Sequence, residues 1–136
     1  MLGDQIGQFT GKVIGTRMLP GDDYRYLKME VTIQEAGKVF GVDAVNTGTY
    51  TVFERVPGQI YGQGQGILQA GMEGAIWNGH GVGKMVGAGM AMSVRFSVAY
   101  QAGPAGKLSG LNSVLVIGEH EVDEAGNTTT KFWEWK

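Results

Sequence analysis

A chain of 136 residues with a formal net charge of −2 has the size of one domain, covering residues 1–136, with one hydrophobic core. Its 11 Lys and Arg residues are scattered along a chain that also carries 13 Asp and Glu residues. Because phosphate recognition needs clustered positive charge, we expect no nucleic-acid partner. The chain has no cysteine and only two histidines, so we expect no disulfide, no metal site and no cofactor.

The start of the sequence shows no targeting signal. Met1–Asp4 leads directly into polar sequence, without the basic and apolar regions of a signal peptide. No apolar run in the chain approaches the length that spans a membrane. We therefore expect a cytoplasmic protein with no membrane partner.

Apolar and polar residues alternate with a period of two almost throughout the first half, which is typical of strands with one buried face. In chain order, the predicted strands are Gln8–Met18, Tyr24–Glu35, Lys38–Asn46 and Thr49–Val56. Turn-forming residues between them predict turns at Pro20–Asp23, Ala36-Gly37, Thr47-Gly48 and Pro57-Gly58. The second strand alternates most cleanly, with an inward face formed by Leu27, Met29, Val31 and Ile33.

The second half continues the same pattern. Its predicted strands are Ile60–Gln69, Gly74–Met85, Met90–Tyr100, Ser113–Asp123 and Thr128–Lys136. The single long loop covers Gln101–Asn112. No window of helical length repeats apolar residues at helical spacing, so the chain is predicted to be all-β.

Eight or nine strands joined by tight turns predict an antiparallel meander. A meander of this size removes its exposed edges by closing, which gives an up-and-down barrel of about eight strands. At that strand number the interior holds side chains or one small ligand. A two-sheet sandwich is the alternative architecture.

The most informative segment is a glycine-rich hairpin in the middle of the chain. A two-residue loop at Gly71-Met72, with glycine in the first position of a type II′ turn, pairs Ala70 with Glu73. The same register pairs Gln65 with Asn78 and Gln63 with His80. One face then collects the side chains of Tyr61, Gln63, Gln65, Ile67, Ile76, Asn78, His80 and Val82, and the other collects Trp77 and six glycines.

Glycine weakens a strand, so this many in register indicate a need for space. Either face of the hairpin allows a pocket. If the polar face points inward, Tyr61, Gln63, Gln65, Asn78 and His80 line a cavity and orient a ligand through amide and imidazole groups. If it points outward, as is usual for Gln and Asn, the glycine face is internal and Trp77 lies across it.

Several motifs resemble functional ones but lack the necessary context. The glycine runs at 62–66 and 79–83 precede no helix, which excludes phosphate loops. His120 lies in a strand without a second histidine and is expected to be partly exposed. The carboxylates around Asp123 indicate a solvated turn, since their spacing does not match an EF-hand. The weak candidates for a catalytic acid or base are His80 and Glu134.

The last hairpin carries two tryptophans on one face. A turn that pairs Val122 with Thr128 puts Phe132 and Glu134 on one face and Trp133 and Trp135 on the other. Inward tryptophans would belong to the core, which we expect, whereas outward tryptophans would mark an interface between copies of the chain.

The second half of the chain, from Gly62 to Lys136, resembles uncharacterised bacterial barrels similar to allene oxide cyclase, which belong to a superfamily of calycin-like barrels. The resemblance lies in the segments 62–66, 77–84, 108–112, 119–127 and 132–136. It implies a barrel with an apolar cavity that assembles as a homo-oligomer. In allene oxide cyclases the cavity binds a fatty-acid epoxide, and a carboxylate and a bound water assist ring opening. None of those catalytic positions aligns with a residue of this chain.

Three functions follow as hypotheses. The first is binding of a small, largely apolar molecule by a cavity with Tyr61, Gln63, Gln65, Asn78 and His80 as its polar lining. The second is an isomerase or cyclase in which His80 or Glu134 moves a proton. The third is a non-catalytic homo-oligomer that buries the glycine face or the two tryptophans between copies.

Overall fold

The computed structural model describes residues 1–21, 23 and 25–136, and they form a closed antiparallel barrel. Each strand pairs with its neighbours in sequence, and the first strand closes the barrel on the last. This confirms the predicted up-and-down barrel and excludes a sandwich. The eight strands are β1 (Leu2–Met18), β2 (Lys28–Val39), β3 (Val42–Val56), β4 (Gln59–Ala70), β5 (Glu73–Met85), β6 (Met92–Ala102), β7 (Leu115–Val122) and β8 (Asn127–Trp135).

The predicted break in the third strand is wrong. Residues 42–56 form one continuous strand, and the turn before it is at Phe40-Gly41 instead of Ala36-Gly37. Both turn residues have positive φ, 50° and 75°, as a type I′ turn requires. Gly37 and Gly48 are strand residues whose missing side chains make room for neighbours. A Cβ on Gly37 would overlap the carbonyl oxygen of Gln8, and a Cβ on Gly48 would overlap the Trp77 ring.

The strand ends also differ from prediction at several places. β1 begins at Leu2, ahead of the predicted Gln8, because residues 2–12 pair with β8 to close the barrel. The loop after β6 contains a short 3₁₀ helix, Ser109–Ser113, and buries Leu108 and Leu111 against one end of the barrel. The predicted start of the second strand at Tyr24 lies outside the described residues.

The register of the glycine-rich hairpin is confirmed. β4 and β5 pair Ala70 with Glu73, Gln65 with Asn78 and Gln63 with His80. Gly71 has a φ of 62°, as the first position of a type II′ turn requires.

Two apolar clusters fill opposite ends of the interior, and a polar layer lies between them. The cluster below the 3₁₀ helix includes Phe9 and Phe132, whose rings stack with centroids 5.4 Å apart. The cluster near the other rim includes Met29, Val31, Ile33, Val52 and Met92, and the first three of these were predicted to face inward from the second strand. The buried polar residues are Glu35, Asn46, His120, Thr128 and Thr130.

The contact between Gly48 and Trp77 gives a test of the packing. Gly48→Ala places a methyl group where the Trp77 ring lies, so we expect the free energy of unfolding to fall by about 2 kcal/mol. Gly15→Ala is the matched control, because a Cβ at Gly15 meets no atom within 4 Å, and it should change stability by less than about 0.5 kcal/mol. Urea denaturation measures both variants. Equal stability of the two would contradict this packing.

Candidate functional site

The glycine face of the central hairpin points into the barrel. Gly62, Gly64 and Gly66 of β4, together with Gly79, Gly81 and Gly83 of β5, alternate with exposed residues. The Trp77 side chain is on the same face of β5 as these glycines, and its ring covers Gly48 and Gly66. One wall of the barrel interior is therefore bare backbone.

The polar face consequently lies on the outside, which is the second of the two arrangements that the sequence left open. Gln63, Gln65, Asn78 and His80 are exposed, and Tyr61 is half-buried. The physical reason is that the space inside is needed for the Trp77 ring and its neighbours, whereas amide side chains are readily hydrated. A ligand-binding role for these five residues remains a prediction.

Two of the five interact with each other on the outer surface. The Tyr61 hydroxyl lies 2.8 Å from Nδ1 of His80, and the Arg55 guanidinium sits 4.3 Å from the centroid of the Tyr61 ring. This arrangement leaves His80 in solvent contact and away from the buried polar residues.

A cavity of about 100 Å³ lies inside the barrel beside the glycine wall. Its remaining walls are mostly apolar, and most of its polar groups come from six side chains that the barrel interior brings together. The aromatic lining residues are Phe9, Trp77, Phe96 and Phe132. The polar lining residues outside the hairpin are Glu35, Asn46, Tyr50, Tyr100, His120 and Thr130, and Tyr61, Gln63 and His80 of the hairpin also border the cavity.

Glu35 is at the centre of this polar layer and is 1% exposed. The hydroxyls of Thr128 and Thr130 each donate a hydrogen bond to Oε2 at 2.7 Å. The Asn46 amide donates to Oε1 at 3.4 Å, and its own oxygen accepts from the Trp77 indole N–H at 2.8 Å. An ionised carboxylate accepts hydrogen bonds and donates none, so these three donors suit the charged form.

A directed chain of hydrogen bonds connects Glu35 to two further lining residues. Thr130 has one hydroxyl proton and donates it to Glu35, so it accepts from Nδ1–H of His120 at 2.7 Å. Nε2 of His120 is then the acceptor for the Tyr50 hydroxyl, 3.2 Å away. The chain runs Tyr50, His120, Thr130, Glu35, and it assigns a neutral imidazole protonated at Nδ1.

Burial and the charge of Glu35 shift the titration of its neighbours. Burial lowers the pKa of His120 below its ordinary 6.5, against the opposing influence of Glu35 and Glu121. Burial, reinforced by the negative charge of Glu35, raises the pKa of Tyr50 and Tyr100 well above the usual tyrosine range. Both phenols therefore stay protonated at neutral pH and act as hydrogen-bond donors.

His120 corrects the expectation of a partly exposed strand residue. It is 6% exposed, because β7 directs Val116, Gly118, His120 and Val122 into the barrel. The sequence could have predicted this burial, since His120 is two residues from Val122 in an alternating strand and therefore shares its face. The same reasoning applies to Glu35: it continues the inward phase of Val31 and Ile33, but the predicted turn at Ala36-Gly37 made it a strand end.

Glu134 and the tryptophans of the last hairpin lie away from the cavity. The Glu134 side chain is 18% exposed and its carboxylate lies 3.6 Å from Nζ of Lys136, near the chain ends. Phe132 faces inward, and Trp133 and Trp135 face outward, which corrects the expectation that they belong to the core. Trp135 pairs in register with Leu2 and Leu115, and all three are about half exposed. An interface between copies through this apolar patch remains a prediction.

Within residues 1–21, 23 and 25–136, no three His, Asp or Glu side chains gather in a geometry that would hold a metal ion. In the same residues, no helix is both long and apolar enough to cross a membrane.

No protein-family model and no curated protein matches this sequence. Solved structures do share its fold. A protein of unknown function from Clostridium acetobutylicum superposes with a TM-score of 0.79 at 10% identity, over 98% of both chains. A conserved protein of unknown function from Rhodopseudomonas palustris superposes with a TM-score of 0.76 at 11% identity, over 98% of this chain and 97% of that one. A β-barrel-like protein from Acinetobacter baumannii superposes with a TM-score of 0.80 at 9% identity, over 100% of this chain and 96% of that one. At such identities the likeness shows the fold alone.

The lowered pKa of His120 predicts a pH dependence of stability. Below pH 6.5 the unfolded chain binds a proton at this residue that the folded protein does not, so the free energy of unfolding falls on acidification. Between pH 7.5 and 5.5 this loss has an upper limit of about 1.4 kcal/mol, which is reached if the folded protein binds no proton at His120 over that range. His120→Gln should remove this contribution to the slope of the free energy of unfolding against pH. His80→Gln, at the exposed histidine, should leave that contribution unchanged. Urea denaturation across this pH range measures the slopes, and equal slopes for the two variants would contradict the assignment.

Proposed function

We propose that this barrel binds a small, largely apolar molecule in its interior cavity, with one polar group of the ligand directed at Glu35. The observation that supports this most is the combination of a bare glycine wall with a hydrogen-bonded polar cluster across the same cavity. At Gly62, where a Cβ would meet only one atom, a purely structural core would gain stability from a side chain, because empty space forfeits packing contacts.

The dimensions of the cavity limit the ligand. An engineered cavity of ~150 Å³ in another protein holds one benzene molecule, and drug-sized ligands occupy pockets of about 300 Å³ or more. A cavity of about 100 Å³ therefore suits a molecule of a few carbon atoms, or a short branched chain. The ligand lies on the inner side of the hairpin, and Gln63 and His80, whose side chains are exposed, border the cavity from that wall.

Gly62 provides a way to fill the cavity without disturbing the barrel. A Cβ at this position meets only the carbonyl oxygen of Thr51, at 3.5 Å, and Gly62 lines the cavity. Gly62→Val should therefore occupy the ligand space and, because valine suits a strand, raise stability by roughly 0.5 kcal/mol. The matched control is Gly74→Val on the outer face of the same hairpin.

Ligand-observed NMR against a panel of small alcohols, amines, ketones and hydrocarbons tests the proposal. Wild type and Gly74→Val should bind members of the panel, and Gly62→Val should lose all of that binding while remaining folded. The proposal fails if no member binds to the wild type, or if Gly62→Val binds as well as Gly74→Val.

A second candidate function is isomerisation by proton transfer within the same cavity. The chain of hydrogen bonds from Tyr50 to Glu35 supports it, because it connects a carboxylate base to proton donors at one apolar site. The resemblance to allene oxide cyclases suggests the same class of reaction. The cavity is far too small for a fatty-acid chain, so the substrate we propose is a small carbonyl compound.

Proton exchange at carbon tests the second candidate. In D₂O, Glu35 would remove a proton next to the carbonyl of cyclopentanone, exchange it with the solvent and return a deuteron, while the Tyr100 hydroxyl donates to the carbonyl oxygen. We expect deuterium incorporation, followed by NMR, to exceed the buffer rate by about a hundredfold at saturating protein. Glu35→Gln should abolish this increase. Exchange no faster than in buffer would rule out this activity while leaving ligand binding intact.

A further inference from the structure

The charge of Glu35 has no counter-ion in the protein. Throughout the part of the chain that the structure describes, every ion pair involves another carboxylate. The residues that line the cavity include no Lys or Arg. His120 reaches Glu35 only through Thr130 and is neutral in the hydrogen-bond chain described above. A buried carboxylate of this kind is normally paired with a cation.

The two oxygens of Glu35 are not equally satisfied. Oε2 accepts two short hydrogen bonds from threonine hydroxyls, whereas Oε1 has one long bond of 3.4 Å to the Asn46 amide. A carboxylate oxygen has room for two donors, so Oε1 retains capacity for a stronger partner. Glu35 lines the cavity, and a molecule inside it can supply that partner.

The other lining groups also favour a cation. The rings of Phe9, Trp77, Phe96 and Phe132, with those of Tyr50 and Tyr100, surround the cavity. The faces of aromatic rings attract positive charge, most strongly where water is excluded. The Tyr100 hydroxyl also lines the cavity and can accept a hydrogen bond from an ammonium N–H.

We propose that the ligand of this barrel is a small organic ammonium ion, which donates N–H to Oε1 of Glu35 and lays its alkyl part against the aromatic rings and the glycine wall. This inference rests on the proposed function, because it names the chemical class of the molecule in that cavity. The ammonium ion neutralises the carboxylate that the protein leaves unpaired. A carboxylate ligand of the same size is repelled, and a neutral alcohol gains the apolar contacts without the charge.

Three molecules of matched shape test the charge preference: isobutylamine, isobutanol and isobutyrate. In NMR titrations of the protein at pH 7, isobutylamine should bind at least about tenfold more tightly than isobutanol, and isobutyrate should not bind. Glu35→Gln should weaken isobutylamine about tenfold or more and change the affinity for isobutanol by less than about threefold. Glu30→Gln, which removes a carboxylate from the outer face of the same strand, is the control and should leave all three affinities unchanged.

The outcomes separate this inference from the proposal on which it rests. Binding of isobutanol as tight as that of isobutylamine overturns the cation assignment and keeps the cavity as a binding site. No binding of any of the three to the wild type overturns both. Isobutylamine binding that survives Gly62→Val is surface binding and overturns the inference. Should Glu35→Gln not fold, a crystal structure of the wild type with isobutylamine decides the matter: nitrogen within hydrogen-bond distance of Oε1 supports the inference, and any other position overturns it.

Discussion

The absence of side chains on the inner face of one hairpin is the constraint from which the interior of this barrel follows. An eight-stranded barrel has an interior just wide enough for its own side chains. Here several large rings and a buried polar cluster share that interior, and they fit because seven inward positions on three adjacent strands carry no side chain. Those positions are Gly48, Gly62, Gly64, Gly66, Gly79, Gly81 and Gly83. Trp77 and Tyr50 occupy part of the space that the glycines leave, and the cavity is the remainder.

The second organising feature is the position of the polar layer. Apolar clusters at both ends of the barrel keep water away from Glu35, His120 and their partners. Inside such a low-dielectric region hydrogen bonds and charges act strongly, and an unpaired polar group is costly. Among the residues described, no buried polar side-chain atom lacks a hydrogen-bond partner, so the layer is consistent with a stable fold. None of the residues in this layer carries a positive charge, and this is the reason for proposing a positively charged ligand.

The sequence predicts the barrel and much of its register, because two-residue turns with glycine at a defined position leave little freedom. The hairpin of β4 and β5 shows this, since Gly71 sets every pair along it. The sequence misleads where glycine serves packing. Gly37 and Gly48 resemble turn residues, and only the positions of Gln8 and Trp77, distant in sequence, explain why each lies within a strand.

The candidate site was harder to predict for the same reason. The buried network joins Glu35 of β2 to Thr128 and Thr130 of β8, more than ninety positions away, and such contacts depend on closure of the sheet. Alternation places each of these residues on an inward face, but it does not say which inward faces meet. The polar residues of the central hairpin were more conspicuous in the sequence, and they lie outside.

A crystal structure determined under xenon pressure tests the central claim most directly, because xenon enters apolar cavities without needing a specific chemical group. We predict a xenon atom inside the barrel, in contact with Gly62 and Gly81 and with the aromatic rings opposite them. An interior without xenon, in which Trp77 or Phe96 has moved to cover the glycine wall, would contradict the account.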